Sequence, residues 1–176
     1  MVKTVHSVKG LDSLNKVMIR QQNTLGQMMV LRQWGTQLRN NSRFDEALKK
    51  HGEGLALAEK TGDTLEWVQA LNNIGTDYRR MGVLDAAQQY HKNALMMANE
   101  CSDTSFTARK NRVMSLNGLA NVYLTVRNFH LADSCLRQAL AGEKALNSFT
   151  GQAINYANLG SIFETKGLTD SAWAYY

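Results

Sequence analysis

The chain repeats itself. Slid against itself by 40, 45 and 40 residues, it brings "LRQWGTQL" (31–38), "LNNIGTDY" (71–78), "LNGLANVY" (116–123) and "YANLGSIF" (156–163) into register. Each segment opens on a large apolar residue and carries another three positions on (Trp34, Ile74, Leu119, Leu159). A small residue follows (Gly35, Gly75, Ala120, Gly160), then Leu38, Tyr78, Tyr123 or Phe163. Spacing of i, i+3, i+4 and i+7 is one stripe of an α-helix. Twelve residues after each small residue stands an alanine: Ala47, Ala87, Ala132 and Ala172. Phe44, Leu84, Phe129 or Thr169 comes three before it, and Gly54, Ala94 and Ala139 come seven after it in the complete copies. A second helix therefore follows each first one. A helix pair cannot bury its apolar stripe alone, so a period of this length predicts an all-α stack of pairs.

The predicted connections are "RNNSR" (39–43), "MGV" (81–83), "VRN" (126–128) and "KGL" (166–168). Gly82 and Gly167 can take the positive φ that ends a helix; in the other two, Asn or Ser must serve. The small residues have a packing reason. Helices pack about 8–10 Å apart, depending on the side chains at the contact. Gly or Ala on the first helix is expected to face the alanine of the second, with the aromatic residues filling the wedge between neighbouring pairs.

Composition narrows the partners. Proline is absent, which suits long helices and short connections. The net charge is +5, but Lys and Arg are scattered rather than gathered on one stripe, so no nucleic acid is expected. Cys101 and Cys135 form no CxxC and read as ordinary helix thiols. Neither an apolar leader nor a run of the ~20 apolar residues that a membrane span needs is present. The chain reads as soluble, with its compartment open: cytoplasmic, or the extracytoplasmic part of a membrane-bound parent.

The columns resemble the tetratricopeptide repeat, W-x₂-L-G-x₂-Y…A-x₃-F…P. The copies are 28–61, 68–101, 113–146 and 153–176, the last stopping mid-helix at Tyr176. They depart from the family: Glu59, Asn99 and Lys144 stand where it closes with proline, and His51 and His91 replace the aromatic of the second helix. The spacing exceeds 34 residues, which suggests longer helices, as in kinesin light chains and bacterial regulatory proteins. The resemblance implies an α-α superhelix, a right-handed solenoid of antiparallel helix pairs. "DTLE" (63–66) can open the second copy as a capping box, Asp63 at the N-cap and Glu66 reaching back; "CSDTSFTA" (101–108) reads as the longest loop. Residues 1–27 read as a capping helix or half-repeat, helical from about Asp12 to Gln22 and bent near "NTLG" (23–26). Trp173, Tyr175 and Tyr176 are expected to lie partly uncovered, which suggests a longer parent protein or a covering chain, a second copy included.

No catalytic set emerges, so the chain is not expected to be an enzyme, and neither cofactor nor metal is implied. His51 and His91, one repeat apart, read as packing residues, and His6 and His130 join no cluster. "HGEGLALAE" (51–59) holds a G-x-G inside a helix, without the strand–turn context of a phosphate loop. The eight methionines mostly read as gap fillers. By the resemblance, the first helix of each pair lines a concave face. The residues placed there are Arg32, Thr36 and Arg39, then Asn72, Thr76 and Arg79, then Asn117 and Asn121, then Glu164. Amides and hydroxyls can bond an extended peptide in either sense, and the arginines can pair with carboxylates. Met114 and Gly118 stand where a three-repeat carboxylate clamp would need cations. The reading is a non-catalytic protein- or peptide-binding module, the sensory or scaffold part of a larger bacterial signalling or transcription regulator whose output part lies further along the chain. The alternatives are a stand-alone cytoplasmic signalling-peptide receptor and a self-associating structural array.

Overall fold

The computed structural model describes residues 8–175, with side chains from Gly10 onward. These residues form α-helices and no strand: α1 (Val8–Arg20), α2 (Thr24–Asn40), α3 (Phe44–Thr61), α4 (Thr64–Met81), α5 (Leu84–Glu100), α6 (Phe106–Thr125), α7 (Phe129–Ala145), α8 (Phe149–Thr165) and α9 (Thr169–Trp173). The extra length of each repeat lies in the helices, since α2 to α8 run for 17 to 20 residues.

Local chemistry sets the ends. The side chains of Asn23, Asp63, Ser105, Asn128 and Ser148 each accept from the backbone N–H three residues on, satisfying one orphan donor of the helix that follows. Gly82 and Gly167 stop their helices at φ +81° and +72°. Ser42 does the same at +60°, as expected, but in "VRN" the left-handed residue is Arg127 at +58°. Asn128 is occupied instead, accepting from Leu131 N–H at the start of α7. Only half of the expected capping box forms. Asp63 accepts from Glu66 N–H at 3.0 Å, but the Glu66 carboxylate turns to Arg32 on α2, a charge-assisted bond stronger than one to a neutral backbone N–H.

Two compact units divide inside α5, between Tyr90 and His91. In the first, α1 packs on α2, α2 on α3 and α3 on α4, and α2 also touches α4. Helix α1 starts at Val8, earlier than Asp12, and the chain does not bend near residue 23: it breaks, with Gln22 at φ +54°. In the second unit α6 packs on α7, α7 on α8 and α8 on α9, around Leu119, Leu136, Leu140, Leu159 and Ile162. Each such side chain contributes about 1.5–3 kcal/mol on full burial. The alanine column is buried in every copy: Ala47, Ala87 and Ala132 fully, Ala172 to 2% exposure.

In the small-residue column Gly35 lies against the His51 ring, and Gly118, two positions before that column, lies against His91. A Cβ on Gly35 would lie 2.4 Å from His51 Nε2, and one on Gly118 would lie 2.3 Å from the His91 ring. The histidines thus take the room that the glycines leave. Two aromatic pairs stack within a helix pair, Tyr78 on Tyr90 at 5.4 Å and Phe163 on Tyr175 at 5.1 Å, while Tyr156 of the fourth copy packs against the core of the third. Tyr175 further accepts a hydrogen bond from Arg137. Trp173 is 71% exposed; His6 and Tyr176 lie outside the described residues. Cys101 sits past the end of α5 rather than on a helix, while Cys135 is buried.

Candidate functional site

In the first unit, a buried polar clasp joins α2, α3 and α4. The Asp77 carboxylate, fully buried, accepts from Arg39 on α2 at 2.9 Å and from His51 Nδ1 on α3 at 2.5 Å. Arg39 also donates to the Asn73 carbonyl, and His51 Nε2 lies 3.3 Å from the Arg32 carbonyl oxygen. A buried carboxylate is tolerated only when paired and hydrogen-bonded, and here a cation and an imidazole do both. His51 is therefore a polar tie as well as a packing residue.

Two of the arginines expected to face a ligand are engaged inside the protein. Arg39 is held by Asp77, and Arg32 donates to Glu66 and Gln69 at 2.9 and 2.7 Å. The cavity beside Arg32 and His51 is about 10 Å³, at the lower limit for a single water. Thr76 bonds back to the Asn72 carbonyl, and Asn72 is buried. Thr36 is half-buried on α2.

Arg79 differs. It is half-buried in the last turn of α4, and neither a hydrogen bond nor an ion pair joins its guanidinium to any described residue. Burial first, then the charges of Arg80 and Arg39, push its guanidinium below the usual arginine value. The group stays cationic, since arginine titrates far above neutrality. Arg80 lines an open cleft of about 420 Å³ with Ser42, Arg43, Phe44, Asp45, Glu46 and Met81. An under-paired guanidinium among cations is a place where an anion is favoured.

In the second unit, Asn117 donates from Nδ2 to Glu143 Oε1 at 3.3 Å. Asn121 is half-buried on α6, where its carbonyl accepts from Thr125, and Glu164 is exposed on α8. The nine residues thus fall into two sets, Arg32, Thr36, Arg39, Asn72, Thr76 and Arg79 on α2 and α4, and Asn117, Asn121 and Glu164 on α6 and α8.

Sequence reasoning passed over Asp77 and Glu143, and a signal for both existed. Asp77 stands in the column of Gln37, Val122 and Ile162, and Glu143 in the column of Ala58 and Ala98. Val122, Ile162, Ala58 and Ala98 are buried. A carboxylate at a position that is buried in other copies demands a buried partner.

Residues 67–99 match the model of the tetratricopeptide repeat family. No curated protein sequence matches the chain. Among solved structures, the chain is similar to BtubC (BKLC) from P. vanneervenii, with a TM-score of 0.77 at 16% identity, covering 95% of this chain and 69% of that one. It is similar to the apo form of RapI (TM-score 0.76, 15% identity), covering 96% of this chain and 46% of that one, so it spans under half of RapI. It is also similar to a putative kinesin light chain with nearly identical TPR-like repeats from Podosopora anserina (TM-score 0.66, 15% identity, 96% and 81% covered). At such identities the likeness carries the fold. Residues 67–99 are a tetratricopeptide repeat, and the chain has the fold of the tetratricopeptide-like α-solenoids, whose repeats generally bind other proteins.

Proposed function

We propose that the chain is a non-catalytic peptide-binding module, the sensory or scaffold part of a larger bacterial regulator, and that Arg79 receives a carboxylate of its partner. The observation that carries the reading is the half-buried Arg79 guanidinium with no acceptor among the described residues. A free-standing exposed arginine would be solvated by water; one partly withdrawn from water beside two other cations gains more from an anion. Arg39 and Arg32 act here as supports, because their guanidinium groups already hold Asp77 and Glu66.

A fluorescein-labelled acidic peptide tests this in a polarisation titration. Arg79→Gln should weaken binding at least tenfold and flatten its dependence on salt, since each lost ion pair removes a screened attraction. Equal affinity for wild type and variant would remove Arg79 from the site. A second reading, a self-associating array, draws on Leu168 and Trp173, 50% and 71% exposed near the last helix. Light scattering at high concentration separates the two: a monomer that binds the peptide fits the first reading alone.

A further inference from the structure

A second cavity lies in the unit that begins at His91. It measures about 190 Å³ and sits where the start of α6, the end of α7 and the start of α8 come together. Phe106, Val113, Met114 and Leu146 give it apolar walls, with Lys110 and Ser148 completing the lining around Glu143. For scale, a dry cavity of about 150 Å³ accepts a benzene ring. This one has room for a single large apolar side chain.

The buried polar group on its lining is a carboxylate. Glu143 is 9% exposed, in the last turn of α7. Its carboxylate makes one hydrogen bond, from Asn117 Nδ2, and no ion pair with any described residue. A carboxylate offers about four acceptor positions, and in the last turn it also faces the negative end of its own helix dipole. The Asn117 oxygen is also buried without a partner, although Asn117 is not among the residues that line the cavity. The amide cannot be turned over to relieve this, because its oxygen would then face the carboxylate. Gly151, at the start of α8, leaves the room in which the carboxylate sits: a Cβ there would fall 2.1 Å from the Glu143 carboxyl carbon. One turn further along the same face, Asn155 is fully buried with neither its amide nitrogen nor its oxygen bonded.

A buried carboxylate with several vacant acceptor positions calls for a group with several donors. An ammonium has three, and its charge offsets that of Glu143. The apolar walls beside it call for a hydrocarbon side chain a few bonds away. Lys110, exposed on the lining, suits a carbonyl oxygen close by. A free amino-terminal residue carries these three features on adjacent atoms. We propose that this cavity binds the free amino terminus of a partner peptide whose first residue is large and apolar. The ammonium bonds to Glu143, the side chain fills the space between Phe106, Met114 and Leu146, and Lys110 donates to the first carbonyl. This deepens the peptide-binding reading without using Arg79.

The test is a titration of the ¹⁵N-labelled chain with leucinamide, which has the amine, the side chain and the carbonyl but no carboxylate. Saturating shifts are expected at the Asn117 side-chain amide and at Met114, Glu143 and Leu146. N-acetylleucinamide should give none, and glycinamide should bind at least tenfold more weakly. Glu143→Gln should weaken leucinamide at least tenfold, and Met114→Phe, which fills the cavity, should abolish its shifts; a circular dichroism melt verifies that each variant folds. Should Glu143→Gln fail to fold, Met114→Phe and the acetylated probe decide alone. Absence of shifts at these residues, or equal binding of the acetylated form, overturns the proposal. Arg79→Gln should leave leucinamide binding unchanged, so failure here leaves the acidic-peptide reading standing.

Discussion

Replacing Gly35 by alanine should destabilise the protein, although alanine is the better helix former. Gly35 lies within α2, where the change gains about 1 kcal/mol of helix propensity. The new Cβ would stand 2.4, 2.6 and 2.7 Å from three atoms of the His51 ring, against an ordinary contact beginning near 3.4 Å. The ring must retreat by about 1 Å to restore such a contact. It is not free to do so, because Asp77 holds Nδ1 and the Arg32 carbonyl faces Nε2. Overpacking costs about 1–3 kcal/mol, and loosening a hydrogen bond to a charged group adds a further part of its roughly 1.5–3 kcal/mol. A net loss of about 1–2 kcal/mol is expected after the propensity gain. Gly52, on α3 with open space around its Cβ direction, supplies the control: Gly52→Ala should stabilise by about 0.5–1 kcal/mol. Urea unfolding followed by circular dichroism reads both. In a His51→Ala background the ring is gone, and Gly35→Ala should turn stabilising. If Gly35→Ala stabilises the wild type as much as Gly52→Ala does, the close approach of α2 and α3 at this ring is wrong.

Asp77→Ala leaves Arg39 and His51 without their shared acceptor; the expected loss is about 3–5 kcal/mol in urea unfolding, and a change under 1 kcal/mol would mean that the clasp contributes little. Arg127→Gly should stabilise by about 1 kcal/mol, since Arg127 sits at φ +58° where Gly82 and Gly167 occupy the matching turns. Burial pushes the Cys135 thiol up. Its folded value thus lies above the unfolded value of about 8.5, and the native state keeps a proton that the unfolded chain releases. The resulting stability is complete below pH 8.5 and is lost as pH rises through the folded value. Urea midpoints should therefore fall between pH 8 and pH 10, and Cys135→Ala should shallow that slope. A thiol-reactive disulfide reagent should modify half-buried Cys101 before Cys135.

The helices and their order were legible because each copy repeats the same apolar stripe, and repetition separates signal from chance. The turns were nearly as legible, as Gly82 and Gly167 announce their conformation by type alone. Arg127 could not, because arginine has no preference for positive φ; it adopts it because it stands at the turn position that Gly82 and Gly167 fill in other copies. The side-chain partners were less accessible. Periodicity tells which face of α4 is buried, but not that Asp77 on that face meets Arg39 and His51 from two other helices. Likewise Arg32, Arg39 and Arg79 look alike in the sequence, and only the positions of Glu66 and Asp77 tell which of the three is already engaged. The hydrogen bond from Asn117 to Glu143 joins residues 26 apart on different helices, a separation at which a single sequence carries no contact signal.

The clasp around Asp77 also bears on how such an array can change over generations. Three helices contribute to it, two from one copy and one from the next. The position in the third copy that matches Asp77 is valine, Val122. A recombination event that deleted the second copy, and so set the third directly after the first, would oppose Arg39 and His51 with that hydrocarbon. The seam between the first two copies is keyed like a lock, so these modules cannot be reshuffled freely, and the lineage is left to diversify by point substitution on the faces that the key does not touch.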